Sequence, residues 1–453
     1  MNLDTPTIEE FGRRLRAREI SAVELTDECL RTIEAAGKQL NAFILVMADE
    51  ARRQARDVDR ELAAGRDRGP LHGVPLSIKD LFDIRGTATS AASRVREGHV
   101  ADSDARAIAN LRRAGAVIIG KTNLHEFAFG TTNEDSAFGP ARHPDDPSRS
   151  PGGSSGGSAA SVASGMALAT IGTDTGGSIR IPAAACGVVG LKPTYGEVSL
   201  EGVVPLSRTL DHAGPLARTV ADAWRVYHAL IGHADPRPLP AAPVDGLRLG
   251  VPRRYFCDLL DDDVRGRFEA SLDALRAAGA RIDDADIPAA AHVAPVYLHI
   301  VLGDASAYHA TTLETMADRY TAPVRLRLEL ARYVLAEDYV RALAGRELLR
   351  RQVDAALLGR DALVLPTLPI PAPPLGAASV QVGTVREPVR NLMLRLTQLF
   401  NLTGHPAISL PCGRTSAGLP CALQLVGPRG KTETLLAVAL ACEDRMTRSG
   451  RAR

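Results

Sequence analysis

The sequence predicts an α/β protein in which a β-sheet is covered by helices. Its 453 residues are 45% hydrophobic, which is enough to bury a large core. Helical segments alternate with short runs rich in β-branched and aliphatic residues, an order typical of a sheet between helices. No repeat of solenoid length is present. The predicted strands lie in the runs GVPLSIKD, AVIIG, ALATIGTD, LRLGVP, ALVLPT and PAISLP.

Sequence signals for the beginnings and ends of helices lie on either side of these strand runs. Residues 7–10 and 21–24 both fit the capping pattern Ser/Thr-x-x-Glu, so each predicts the first turn of a helix. Gly115 and Gly279 each follow a helical segment and precede a predicted strand, which indicates that they end those helices. Helical patterns are dense from about 296 to 358. The proline-rich stretch LPTLPIPAPPLGAAS that follows predicts a surface loop within one domain, because strand candidates continue beyond it.

Composition excludes several classes of function. Fifty-four basic and 53 acidic residues leave a net charge of +1, so there is no electrostatic footprint for nucleic acid or an anionic membrane. The N-terminus lacks the apolar region of a signal peptide, and no apolar run reaches the roughly 18 residues of a membrane span. We therefore expect a cytoplasmic protein. The six cysteines have no metal-ligand spacing, so we expect reduced thiols and neither a metal nor another cofactor.

Lysine is scarce in this chain. Five lysines stand beside 49 arginines. The two side chains differ chemically, because a buried lysine can become a neutral base whereas arginine keeps its proton. Each lysine is therefore a candidate for a catalytic role. They are Lys38, Lys79, Lys121, Lys192 and Lys431.

The run SPGGSSGGSAASVASG, residues 150–165, is the most unusual stretch. A flexible linker does not fit, because the residues that follow are small and apolar rather than charged. A formal Walker A match at 115–122 has AVII at its variable positions, which predicts a strand and not a phosphate loop. Ser154 and Ser155 each satisfy the nucleophile-elbow pattern G-x-S-x-G, but the preceding RHPDDPSRSPGG lacks the bulky strand that an elbow requires.

Tracing the chain through space gives this run another meaning. If a helix of small residues begins near Gly156, about ten residues at about 1.5 Å each carry the chain about 15 Å away. The strand ALATIGTD then returns a similar distance at about 3.3 Å per residue. Ser154 and Ser178 are therefore expected at one edge of the sheet, where Lys79 ends another strand. α/β proteins tend to bind ligands at the carboxyl ends of their strands.

The residue types at this edge predict nucleophilic catalysis. A serine hydroxyl needs an adjacent base, and Lys79 can be that base if burial and hydrogen bonding lower its pKa. Ser154 would relay the proton between them. The TGGS turn is expected to aim its backbone N–H groups at one point, as an oxyanion hole requires. The residues of this turn are Thr175, Gly176, Gly177 and Ser178.

Several segments between about 70 and 222 resemble the amidase signature family. They are LHGVPLSIKDLFDIRG, GKTNLHEFAFG, SPGGSSGGSAASVASGMALATIGTDTGGSIRIPAAACGVVGLKPTYG and SRTLDHAGPLARTVAD, with a looser C-terminal likeness in NLTGHPAISLPCG and GLPCALQLVG. The resemblance implies the amidase signature fold, a single domain over 1–453 with a mixed sheet between helices. It also implies a Ser–cis-Ser–Lys triad, in which Ser178 is the nucleophile, Ser154 the cis-serine and Lys79 the base.

Other polar residues near these segments receive different assignments. Asp174 and Arg180 flank the nucleophile, and we expect them to support its loop through hydrogen bonds. Cys186 is expected to pack in the core rather than to act as a thiol nucleophile. His405 stands where many relatives have leucine, and it is either a loop histidine without a role or a local substrate contact.

The resemblance implies an amidase that hydrolyses the C–N bond of a small-molecule carboxamide through a seryl acyl-enzyme, releasing a carboxylate and ammonia or an amine. One alternative is the A subunit of a glutamine-dependent tRNA amidotransferase, which usually has Asp-Glu where this chain has Lys431 and Thr432. The other is an ester or carbamate hydrolase with the same triad. The expected partner is a small-molecule amide that enters through the helix-rich region at about 295–390. No direct nucleic-acid or membrane binding is expected, and a homodimer is compatible with the sequence.

Overall fold

The computed structural model of the chain describes residues 7–234, 238–240 and 242–450, the last four without their side chains. The helices within these ranges are α1 Ile8–Arg16, α2 Ala22–Leu40, α3 Ala48–Ala63, α4 Arg106–Arg113, α5 Gly156–Ala163, α6 Arg180–Cys186, α7 Val220–Leu230, α8 Arg253–Phe256, α9 Asp262–Ala277, α10 Val293–Thr315, α11 Ala322–Ala331, α12 Ala336–Leu357, α13 Val389–Arg395, α14 Leu399–Leu402 and α15 Thr432–Gly450. The strands are β1 Phe43–Val46, β2 Pro75–Lys79, β3 Val117–Thr122, β4 Ala169–Asp174, β5 Val189–Lys192, β6 His212–Ala217, β7 Arg248–Val251, β8 Arg281–Asp284, β9 Ala362–Pro366, β10 Ser379–Val382, β11 Val385–Pro388, β12 Ala407–Arg414 and β13 Pro420–Val426.

One large sheet organises the described chain. Eleven strands pair in the order β1-β3-β2-β4-β6-β5-β12-β13-β9-β7-β8, and β10 and β11 form a separate hairpin. Parallel pairs such as β2 with β4 and antiparallel pairs such as β4 with β6 occur side by side, so the sheet is mixed. The predicted strand runs are confirmed as β2, β3, β4, β7, β9 and β12.

Helices cover both faces of this sheet. Every residue of β2, β4, β6, β9 and β13 is buried, which requires cover on both sides because successive side chains point in opposite directions. Helices α5 and α6 pack on each other, whereas α15 packs on α7 and α9. The predicted α/β class is therefore confirmed. Each helix in the described ranges is too short or too polar to cross a membrane.

Local signals place the helix ends as predicted, with one difference. Ser21 forms the complete capping box with Glu24 at the start of α2. Thr7 accepts the N–H of Glu10 at the start of α1, but the Glu10 carboxylate binds Arg13 instead of closing a box. Three helices, α10, α11 and α12, fill the predicted helix-dense region.

The proline-rich stretch corrects the prediction of a surface loop. Residues 367–370 and 372–373 are buried, and exposure begins at Pro374. The N–H of Ser150 donates to the carbonyl of Pro373 at 2.9 Å, so the stretch packs beside the glycine- and serine-rich run. Proline has no backbone N–H that would need a hydrogen bond to water, and the Pro373 carbonyl accepts its hydrogen bond from within the protein.

Candidate active site

Strands β2 and β4 bring the candidate residues to one edge of the sheet. They are parallel neighbours, with Ile78 opposite Ile171. Lys79, the last residue of β2, therefore lies beside the end of β4, and its Nζ is 2.8 Å from Thr173 Oγ1. Helix α5 starts at the same edge. A Cβ atom on Gly157 would lie 2.5 Å from the carbonyl oxygen of Asn123, so this helix approaches closely because it begins with two glycines.

Lys79 and Ser154 are in direct contact. Lys79 Nζ lies 2.8 Å from Ser154 Oγ, and neither side chain is exposed. The peptide bond between Gly153 and Ser154 is cis. The sheet edge thus holds a wholly buried amine and hydroxyl at hydrogen-bond distance.

Ser178 reaches the same place because it follows the end of β4 beside which Lys79 lies. The N–H of Ser155 donates to the Ser178 carbonyl at 3.3 Å, which joins the start of α5 to the TGGS turn. Ser178 is 5% exposed, whereas Ser154 is fully buried. Within the described chain the Ser178 hydroxyl makes no hydrogen bond. Ser154 and Ser178 are therefore neighbours without a hydrogen bond between their hydroxyl groups.

Burial shifts the acid–base behaviour of Lys79. Its pKa is lowered to about 7, because burial disfavours the charged amine. The negative charges of Asp174 and Asp211 act in the opposite direction and raise the pKa. A neutral amine is therefore accessible near pH 7, as a proton acceptor requires.

Three of the five lysines are wholly buried, and Lys79 is the one among them that contacts only hydroxyl groups. Lys121 pairs with Asp80 at 2.5 Å, and Lys192 donates to the carbonyl of His405 at 2.6 Å. Lys79 instead contacts two hydroxyls, and no carboxylate of the described residues lies within ion-pair distance of it. Its neutral form loses no ion pair.

A buried arginine holds the loop that carries Ser178. The Arg180 Nε and Nη2 donate to the two carboxylate oxygens of Asp174, each at 3.0 Å. Burial raises the pKa of the Asp174 carboxyl, but the charge and hydrogen bonds of Arg180, together with Lys192 and Asn401, hold that pKa well below its usual range. The remaining acceptors of Arg180 are Thr397 O at 3.0 Å, Gln424 Oε1 at 3.1 Å and Asn401 Oδ1 at 2.7 Å.

The TGGS turn is clamped from outside by Thr397. The Thr397 hydroxyl donates to the carbonyl of Gly176 at 2.6 Å. A Cβ atom on Gly177 would lie 2.3 Å from Thr397 Oγ1, and Gly177 has φ +141°. Only glycine fits there without displacing the clamp.

Asp211 was not singled out from the sequence. Its carboxylate accepts the Thr175 hydroxyl at 2.5 Å and the N–H groups of Leu206 and Ser207 at 2.9 and 3.1 Å. Burial raises its pKa to about 6, against these hydrogen bonds and the charge of Lys79. It lies in the segment SRTLDHAGPLARTVAD, so the family resemblance was the available signal.

Two neighbouring nucleophiles are engaged elsewhere. The Ser155 hydroxyl donates to the carbonyl of Thr173 at 3.2 Å. The Cys186 thiol donates to the carbonyl of Pro151 at 3.4 Å, and burial raises its pKa above the usual range. Neither group faces the TGGS turn as a free nucleophile.

His405 is a buried, partnered side chain. Its ring nitrogens lie 2.9 Å from Thr403 Oγ1 and 3.0 Å from Asp354 Oδ1, and burial lowers its pKa to about 4. Both ring nitrogens are therefore used within the protein.

A cavity of about 420 Å³ borders the turn. Tyr297 and Leu394 line it, and they would lie 2.5 and 3.0 Å from a Cβ atom on Gly176. A molecule in this cavity would therefore be separated from the backbone of the turn by no more than these two side chains.

Comparisons with known proteins identify the family of this chain. A family model described as Amidase matches residues 24–436. A protein named Amidase from Pseudomonas putida is 43% identical over 97% of this chain and 96% of its own length. The A subunit of glutamyl-tRNA(Gln) amidotransferase from Anaeromyxobacter sp. (strain K) is 40% identical over 96% of this chain and 95% of its own length. A crystal structure of an amidase superposes with a TM-score of 0.92 at 40% identity, covering 97% of this chain and all of that one. The protein therefore belongs to the Amidase family, the amidase signature enzymes that its sequence segments resemble.

Proposed function

We propose that the protein is an amidase that hydrolyses the C–N bond of a small-molecule carboxamide through an acyl-enzyme on Ser178. The observation that carries the proposal is the buried contact between Lys79 Nζ and Ser154 Oγ, 2.8 Å apart, beside the glycine turn. An amine with a lowered pKa is a base, and a hydroxyl between it and a second serine can pass a proton.

In the first half of the reaction Ser178 Oγ attacks the substrate carbonyl. Its proton passes to Ser154 as the proton of Ser154 passes to Lys79 Nζ. The carbonyl oxygen becomes an oxyanion, which accepts hydrogen bonds from backbone N–H groups of residues 175–178. When the C–N bond breaks, the amine or ammonia takes the proton back through Ser154, and the acyl group remains on Ser178.

In the second half a water molecule replaces the amine. The same relay removes a proton from the water as its oxygen attacks the ester carbonyl. Collapse of the second tetrahedral intermediate returns the proton to Ser178 Oγ and releases the carboxylic acid, which loses its remaining proton to water and becomes the carboxylate. Lys79 thus ends as it began, in its neutral form.

Covalent labelling tests this proposal. A fluorophosphonate should modify Ser178, located by peptide mass spectrometry, and Ser178→Ala should remove both the label and amide hydrolysis. Ser155→Ala is the matched control, because the Ser155 hydroxyl is bound to the carbonyl of Thr173, and it should still be labelled. Labelling at Ser155 or Cys186 in place of Ser178 would contradict the assignment.

A second candidate is the A subunit of a tRNA-dependent amidotransferase, favoured by the 40% identity to such subunits. This chain has Lys431 and Thr432 where those subunits usually have Asp-Glu. Hydrolysis of simple amides by the purified chain alone would support the amidase, and activity only with glutamine and added partner subunits would support the amidotransferase. Esters and carbamates in the same screen test the third alternative, because they present the same carbonyl to the triad.

The proposal also covers the substrate, the cellular location and the oligomeric state of the enzyme. A small-molecule amide is its proposed partner, the cytoplasm its proposed location and a homodimer its proposed assembly. Exposed apolar side chains support a self-associating surface, and light scattering after size exclusion tests it. These side chains are Leu326, Leu330, Tyr333 and Leu335.

The single domain is proposed to divide into a catalytic core at about 70–222 and an entrance region at about 295–390. Lys79, Ser154 and Ser178 all lie in the first. Tyr297 and Arg390, at the two ends of the second, line the cavity beside the glycine turn. Substitutions in the entrance region are therefore expected to change which amides are accepted.

A further inference from the structure

Arg390, in α13, lines the cavity beside the glycine turn without a partner. Its Nε is buried, and among the described residues its guanidinium makes no hydrogen bond and no ion pair. The ring of Phe129 lies 5.9 Å from it. Burial lowers its pKa. A buried charge is costly unless an opposite charge or a hydrogen-bond acceptor meets it, so this side chain is complementary to an anion.

A second arginine faces the same cavity. The Arg395 guanidinium stacks on Tyr255 with its carbon 4.0 Å from the ring centre, and its Nη2 donates to the Tyr255 carbonyl at 3.0 Å. Its Nε is buried and has no partner in the described chain. Tyr255 has φ +72°, a left-handed value that is unfavourable for a tyrosine. Such backbone geometry is typical of ligand-binding positions.

The other charged groups leave the cavity positive. Glu387 is the sole carboxylate among the lining residues, and it forms no ion pair with either arginine. Outside the lining, Arg327 adds positive charge near Arg390 and is itself bound to the carbonyl of Phe129 at 2.7 Å. The Asp135 carboxylate is 3.7 Å from Arg327 and 3.0 Å from His125, so it is paired with these two residues and not with Arg390.

The rest of the lining combines apolar side chains, which are leucines, an alanine and a proline, with the polar Asn391 and Gln398. Two of the lining residues, Tyr297 and Leu394, also lie against Gly176 of the turn. The cavity therefore offers apolar surface and two arginines, and only the side chains of Tyr297 and Leu394 separate it from the backbone that would bind the oxyanion.

We propose that the preferred substrates are amides that carry a carboxylate on an apolar stem, and that Arg390, supported by Arg395, binds this carboxylate. Arginine suits this role because its planar fork donates two parallel hydrogen bonds to a carboxylate. The inference rests on the proposed amidase function, since it names the substrate class of the same site.

Paired substrates test the inference. A series of ω-amido carboxylates with two to six methylenes is compared with neutral amides of equal length, and kcat/KM is measured for each pair. At the best length the anionic amide should be preferred by roughly 10- to 100-fold, as expected for a hydrogen-bonded charge pair. Arg390→Gln should lower this ratio toward one, chiefly through KM for the anionic member, and Arg390→Lys should keep part of it.

Arg386→Gln is the matched control, because Arg386 is exposed on β11 and bound to Ser379. It should leave the ratio unchanged. A neutral amide preferred at every length, or equal loss for both members in Arg390→Gln, would overturn the inference. Inhibition by inorganic phosphate or acetate without any preference for anionic amides would indicate a free-ion site and would also overturn it.

A binding measurement separates this inference from the proposed function. Calorimetry with saturated dicarboxylates of the same lengths needs no turnover and uses the whole chain. Binding to the native protein that weakens at least tenfold in Arg390→Gln supports the anion site even if no amide is hydrolysed. Equal binding by both proteins, each checked for an unchanged melting temperature, would refute the anion site even if Ser178 is labelled and neutral amides are hydrolysed.

Discussion

Lys79 Nζ and Ser154 Oγ lie 2.8 Å apart in a place that water does not reach. Because burial lowers the pKa of Lys79 to about 7, this amine can alternate between a neutral acceptor and a charged donor near neutral pH. A side chain that is always charged, such as arginine, could supply positive charge at this position but could not accept a proton. Substitutions at Lys79 can therefore distinguish the two roles.

Lys79→Arg should be nearly as damaging as Lys79→Ala. Arginine keeps the charge and approximate length of lysine but does not accept a proton. Loss of a general base costs roughly 10²–10⁴-fold in rate, so both variants should fall by that amount in kcat/KM on one amide. An arginine variant within about fivefold of the native enzyme would rule out the neutral-base role.

Lys121→Arg is the control for this substitution. Lys121 is as buried as Lys79 and lies near the end of the neighbouring strand β3, but it is ion-paired to Asp80 at 2.5 Å. An ion pair needs charge and not proton transfer, so arginine should keep much more activity here than at Lys79, provided that both variants retain their melting temperature. Equal losses at the two positions would indicate that arginine is rejected for its size.

The pH profile of kcat/KM should fall on the acidic side with an inflection near the Lys79 pKa of about 7. The active form is the neutral amine, whose fraction decreases as pH falls below the pKa. Because the charge of Asp211 raises this pKa, Asp211→Asn should move the inflection to lower pH. Asp102→Asn, at an exposed position, should leave it in place. An inflection that does not respond to Asp211 would belong to another group.

The sequence is sufficient to predict which residues meet at the edge of the sheet, but not which residues hold them in position. Local patterns identify the strands that end at Lys79 and Asp174, and the lengths of α5 and β4 together return Ser178 to the start of α5. The return of Ser178 to the start of α5 depends only on segments that are close together in the chain. The rise per residue of one helix and one strand fixes that return.

The residues that hold this edge in position come from distant parts of the sequence. Thr397, Asn401 and Gln424 reach Arg180 or the glycine turn across more than 200 residues, and nothing local predicts those contacts. Asn401 and Gln424 do fall within NLTGHPAISLPCG and GLPCALQLVG, so the family resemblance marked the segments without giving a role. Arg390 gave no sequence signal, because one arginine among 49 is distinguished only by its missing partner.

Arg180→Met should destabilise the protein strongly. It removes the partner of Asp174 and leaves a fully buried carboxylate unpaired, a change that costs roughly 3–5 kcal/mol. Urea denaturation measures the loss in the free energy of unfolding. Arg276→Met is the control, because its pair with Asp273 is exposed and should contribute less than about 1 kcal/mol. Similar losses in the two variants would show that the buried network does not hold the loop.

Lys79→Met should abolish amide hydrolysis and yet stabilise the fold. A lysine whose pKa is lowered by folding binds fewer protons in the folded state than in the unfolded state between about pH 7 and the unfolded value of about 10.4. Native stability therefore rises with pH across that window, and below pH 7 the full cost of the buried charge remains.

Methionine carries no such cost, so its gain should be largest at pH 6, roughly 1–4 kcal/mol, and should shrink toward pH 10. Urea denaturation at pH 6, 8 and 10 measures this difference, and Lys38→Met on the exposed end of α2 should show no comparable trend. A variant that loses stability equally at every pH would mean that the hydrogen bonds of Lys79 to Ser154 and Thr173 outweigh the cost of its buried charge.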